Sequence, residues 1–146
     1  MEGRYLYKAK RLDNGEWVEG YYFCMTHTDG RHAHHFIIPL GADLSLGTPI
    51  EKIQVEIDPS TICQCTGLTD KNRKEIWEND IVQRTDLHDA KKPSIGFIEY
   101  DVENTAFLIH WVDVVNYSAT YPWKEKIEVV GNIFDNPELL EGGTDE

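Results

Sequence analysis

The chain predicts a mainly β protein. Three observations carry that expectation. The 4 Trp, 7 Tyr and 5 Phe among 146 residues suit pleated surfaces better than a small helical bundle. Short apolar-rich runs alternate with clusters of Gly, Pro, Asn and Asp. No long segment repeats its apolar residues at a helical period.

The elements follow in order. Tyr5–Lys10 and Trp17–Phe23 are strand candidates around Asp13-Asn14-Gly15-Glu16, where Asn-Gly predicts a tight hairpin turn with positive φ. A polar loop, His27–Arg31, leads to a short strand, His35–Ile38, stopped by Pro39. Residues 40–50 carry two Gly and one Pro and predict an irregular connection. Lys52–Ile57 alternates strictly and predicts a half-buried strand, which Asp58-Pro59 breaks. Thr61–Thr66 resumes in extended form.

The most patterned stretch is TGLTDKNRKEIWENDIVQRT, residues 66–85. Its acids fit a reactive loop or a turn, and turn chemistry explains them better. Asp70–Lys74 is rich in turn formers, and Glu75-Ile76-Trp77 is a short extended piece. Asn79 suits a left-handed conformation, and Asp80 can accept hydrogen bonds from nearby backbone amides. Asp80–Arg84 starts a strand. Ile95–Tyr100 and Ala106–Trp111 form a second hairpin around Asp101–Thr105, and Lys126–Phe134 is the last strand candidate. Asn136-Pro137-Glu138-Leu139-Leu140 predicts one helical turn, with Asn as cap and Pro at the first position. About ten short strands predict a barrel or sandwich with two β lobes, 1–58 and 59–141, and a flexible tail, 142–146.

Composition narrows the function. The net charge is −12, and residues 74–146 hold 16 acidic against 6 basic side chains. Such a field repels nucleic acid backbones and acidic membranes at long range. No apolar run reaches the roughly 20 residues of a spanning helix. The charged start, Met1-Glu2-Gly3-Arg4, lacks the apolar stretch of a secretory signal, so a cytoplasmic protein is expected. Three cysteines, Cys24, Cys63 and Cys65, are odd in number, and the two-residue spacing of Cys63 and Cys65 does not suit a disulfide framework.

Four constellations carry candidate chemistry. His32 and His34 would share a strand face and are the candidate metal ligands, with His27, His35 and Cys24 nearby. A complete ligand spacing is missing, so no metal or other cofactor is assigned. Cys63 and Cys65 have no adjacent base and predict buried thiols, not nucleophiles. Tyr5, Tyr7, Lys8, Lys10 and Arg11 are the nucleic-acid candidates, but alternation separates the rings from the ammonium groups. Trp111, Tyr121 and Trp123 are the protein-interaction candidates, and Trp77 and Trp111 also suit a barrel core. No catalytic motif occurs, so no catalytic residue is assigned.

Three segments resemble the YopX family of bacteriophages and prophages: RLDNGEWVEGYYF, CTGLTDKNRKEIWENDIV and VVGNIFDNPELL. They lie in the family's order and span almost the whole chain. Arg73 and Asn79 stand where the family usually has Gly, at positions that want positive φ. The resemblance implies a mainly β fold, an SH3-type barrel in the C-terminal portion and no assigned activity. The resulting expectation is a non-catalytic protein-binding or self-associating β module in a bacterial cytoplasm. The rivals are a nucleic-acid-associated barrel and a small metal-dependent enzyme using the His27, His32, His34 and His35 region.

Overall fold

The computed structural model describes residues 2–43, 45–84, 94–112, 116–120 and 124–141. The chain divides into two compact units, Met1–Cys65 and Thr66–Glu146. Both are β, as expected.

The first unit holds β1 (Tyr7–Lys10), β2 (Trp17–Thr26), β3 (Ala33–Pro39), β4 (Val55–Glu56) and the start of β5 (Cys63–Thr69). They pair antiparallel in the order β4-β3-β2-β1-β5. Ala9, Ile37 and Ile57 form its buried core, with Tyr7, Val18, Tyr22, Val55 and Ile62 packed against them. Cys63 and Cys65 are buried, as alternation predicts, and none of the three cysteines is in a disulfide.

Two expectations need correction here. The alternation of Lys52–Ile57 predicts a full strand, but only Val55–Glu56 is one. A 3-10 turn, Ile50–Lys52, precedes it, and Ile53 is right-handed helical because its amide bonds back to the Ile50 carbonyl. In the first hairpin only Gly15 takes positive φ, at 74°. Asn14 acts through its side chain instead, accepting from the Glu16 amide at 2.9 Å.

The second unit holds the rest of β5, β6 (Glu75–Trp77), β7 (Asp80–Arg84), β8 (Ser94–Asp101), β9 (Ala106–Trp111), β10 (Asn116–Ala119) and β11 (Ile127–Asn132). A short helix, α1 (Glu138–Glu141), follows. The sheet order is β10-β9-β8-β7-β11, so a four-strand meander is completed by a last strand that returns beside the first. Ile76, Val82, Ile98, Ile109, Trp111, Ile127 and Val129 form the core. Among the described residues neither sheet closes on itself, so the expected barrel is here an open sheet.

Strand β10 was not predicted. Its Asn-Tyr-Ser-Ala sequence has no apolar alternation, and among the described residues it pairs only with β9. The predicted Asn136 cap is also different in detail. Its Oδ1 accepts from the Asn132 amide at 3.2 Å, while its backbone carbonyl receives the Leu139 amide. Gly131 makes that possible, since a Cβ there would lie 2.5 Å from Asn136 Oδ1.

Candidate functional site

The polar stretch after Thr69 is the first place to look for chemistry. Asp70 is 5% exposed. Its Oδ1 accepts from the amides of Asn72 at 2.8 Å and Lys74 at 2.9 Å. Its Oδ2 accepts from the Val129 amide at 2.8 Å. The backbone closes the same loop: the Arg73 amide donates to the Asp70 carbonyl, and the Asp70 amide to that of Lys74. Arg73 sits at φ 66°. This is a three-residue hairpin loop ending in a left-handed residue, the geometry that usually selects Gly. Arg73 keeps the conformation at a cost in strain.

The next turn repeats the logic. Asp80 is 3% exposed, and its Oδ2 accepts from the Trp77 amide at 2.8 Å. Asn79 sits at φ 71°, the left-handed conformation predicted for it. Glu75 is exposed and Glu78 half-buried. Among the described residues no group of three or more His, Cys, Asp or Glu is placed to hold a metal ion. The Asp70 and Asp80 carboxylates bond backbone amides and so brace the two turns.

The loop also seals an edge. β11 bonds β7 on one side. On its other side the Val129 amide is taken by Asp70 and the Ile127 carbonyl by the Lys71 amide. Those are groups that another strand would otherwise use.

The histidines form the second constellation, on the β2–β3 hairpin. His32 lies in the loop, not on the strand, and its Nδ1 bonds Asp29 Oδ2 at 2.8 Å. Asp29 also accepts from the Arg31 amide, and these bonds, the amide first, hold its carboxyl below the usual range. His34 is on β3 and meets His27 instead of His32. The two Nε2 atoms are 3.0 Å apart, and His34 Nδ1 bonds Glu56 Oε2 at 2.9 Å. Met25, Thr26, His27, His34 and Phe36 line an open cleft of about 330 Å³. His35 points elsewhere, its Nδ1 2.6 Å from the Tyr22 hydroxyl. The His27–His34 pairing was not legible, because it depends on how the polar loop folds back.

The remaining candidates scatter. Lys8 and Lys10 place their ammonium groups 4.9 and 5.5 Å from the centroid of the Trp17 ring. Tyr7 packs on Tyr22 at 5.4 Å, so the tyrosine and lysine side chains build no common stacking platform. Trp111 is 7% exposed and belongs to the core, its Nε1 donating to Ser118 Oγ at 2.7 Å. Tyr121 and Trp123 lie outside the described residues. Among the described residues no helix is long and apolar enough to cross a membrane.

Three chains of solved structure match this one. One is the crystal structure of protein EF1440 from Enterococcus faecalis, with a TM-score of 0.57 and 26% sequence identity over 92% of this chain and 96% of that chain. No curated protein matches. A family model described as YopX protein matches residues 6–141, which include the two hairpins, the Asp70 and Asp80 turns and the Gly131–Asn136 contact. The chain belongs to the YopX family.

Proposed function

We propose that this chain is a non-catalytic β module, acting through pairing with another protein or with a second copy of itself. The second unit is in this proposal an SH3-type fold. Its meander with a returning last strand has the strand order of such barrels. The protein would work in the cytoplasm of a bacterial host, encoded by a phage or prophage, as the family resemblance implies.

One observation carries the proposal: the two edges of the second sheet are treated differently. The β11 edge is occupied by the Asp70 loop. The β10 edge, Asn116–Ala119, ends the strand order beyond β9. An edge strand offers a row of amides and carbonyls to an incoming strand. The acids that most suggest catalysis are committed to backbone amides, which favours binding over reaction.

The test is light scattering of the purified protein over a concentration series, with affinity capture from host cells. Ala119→Lys places a charge on the exposed edge, a common block to strand pairing. The expected result is an oligomer or a captured protein partner that this variant loses at unchanged melting temperature. A monomer at all concentrations that captures nothing, or an Ala119→Lys variant that associates normally, overturns the proposal.

A further inference from the structure

We propose that His27 and His34 form a bidentate surface site for a first-row transition metal, with Cu(II) or Ni(II) preferred over Zn(II). The site is separate from the pairing edge proposed above and does not depend on it. The two Nε2 atoms stand 3.0 Å apart. With metal–nitrogen bonds of about 2.05 Å, that separation subtends an angle of about 94° at a shared ion. Adjacent ligands of a square-planar or tetragonal ion lie near 90°, whereas the tetrahedral geometry of structural zinc is wider. The pair is thus set closer to the geometry of copper or nickel.

The surroundings agree. His34 Nδ1 is fixed by Glu56 Oε2 at 2.9 Å. A carboxylate behind one ring nitrogen locks the tautomer that leaves the other as a lone pair. In that tautomer His34 presents Nε2 as an acceptor, and the 3.0 Å contact is met by His27 Nε2–H donating to it. A metal needs His27 to change tautomer, its proton moving to Nδ1 through solvent with no net proton released, and the two exposed rings to swing until their Nε2 lone pairs converge on the ion instead of on each other. The rings are tilted by 54° with centroids 5.0 Å apart. Met25 is the cross-strand partner of His34 and lines the same cleft. Its thioether is a weak donor of the kind copper accepts at an axial position. Two imidazoles do not make a closed cage, so the remaining positions belong to water or to a ligand brought by a partner.

The experiment titrates the untagged full chain with Cu(II) alone, read by calorimetry and by electron paramagnetic resonance. The expected result is one tetragonal Cu(II) with nitrogen ligands per chain. His27→Ala and His34→Ala each weaken binding by at least about tenfold, and Glu56→Gln by about tenfold through lost support of His34. His32→Ala weakens binding less than His27→Ala, since its Nδ1 bonds Asp29 and only the edge of its ring meets His27, with centroids 6.0 Å apart. All four side chains are exposed, and circular dichroism checks that the variants fold. The proposal is overturned if the His27→Ala/His34→Ala double variant binds Cu(II) like the parent. It is equally overturned if the spectrum lacks nitrogen ligands or if Zn(II) binds more tightly than Cu(II).

Discussion

Removing the Asp70 carboxylate should unseat the β11 edge. Asp70 is 5% exposed and accepts three backbone amides, from Asn72, Lys74 and Val129. Each hydrogen bond to a charged acceptor contributes about 1.5–3 kcal/mol, but the three are not additive. The Asn72 and Lys74 amides are part-buried and regain water when the side chain is cut. The Val129 bond is buried, so its amide is left unsatisfied at about 1–3 kcal/mol. Asp70→Ala is therefore expected to cost about 3–5 kcal/mol, a large share of the roughly 5–15 kcal/mol that holds a domain folded. Asp70→Asn keeps one oxygen for the loop amides but turns an NH₂ toward Val129, and should cost about 2–3 kcal/mol. Because the chain has two units, one unfolding midpoint is a poor readout. Residue-resolved hydrogen exchange is better: Val129 should lose protection while Ile37, in the first unit, keeps it. An Asp70→Ala variant within about 1 kcal/mol of the parent, with Val129 still protected, would refute the structural role of this acid.

Two further outcomes follow from backbone geometry. Arg73→Gly should raise the urea midpoint, by about 0.5–1 kcal/mol in stability. It removes left-handed strain at φ 66°, while Arg73→Ala should give no such gain. Gly20→Ala should cost more than about 3 kcal/mol, read as lost soluble yield or a collapsed melting temperature. A Cβ at Gly20 would stand 1.9 Å from the Ile38 carbonyl oxygen, and backbone cannot step aside as a side chain can.

Much of the fold was legible because local chemistry and burial agreed. Asp80–Arg84 and Ala106–Trp111 have the predicted bounds, since short apolar runs and flanking turn residues point the same way. Positive φ at Arg73 and Asn79 was legible as well, because a displaced glycine leaves its conformation behind. What stayed hidden depended on distant partners. Lys52–Ile57 alternates along its length, yet the Gln54 amide bonds the Ile50 carbonyl and the first half turns. β10, Asn-Tyr-Ser-Ala, carries no apolar alternation in the sequence, and its pairing with β9 supplies what the pattern lacks. The Asp70–Val129 bond spans 59 residues, and nothing near Asp70 in the sequence announces an edge to be covered. The site was less legible than the fold: His34 finds its partners in His27 and Glu56, seven and 22 positions away.

The same hydrogen bonds connect the fold to the functional proposal. An open five-strand sheet has two edges, and each is a template for uncontrolled association. Here the carboxylate of one buried acid and the amide after it satisfy an outward amide and carbonyl of β11. That arrangement needs a loop rigid enough to hold Asp70 in place, which explains why the turn keeps its left-handed residue even when that residue is Arg73. A catalytic acid would instead keep an oxygen for substrate, and Asp70 directs both of its oxygens to amides. Sealing one edge leaves pairing through this sheet to the other. Among the described residues one edge of this sheet is left open, which limits self-association through it to a closed pair, and growth into a filament would need a second, unlike surface.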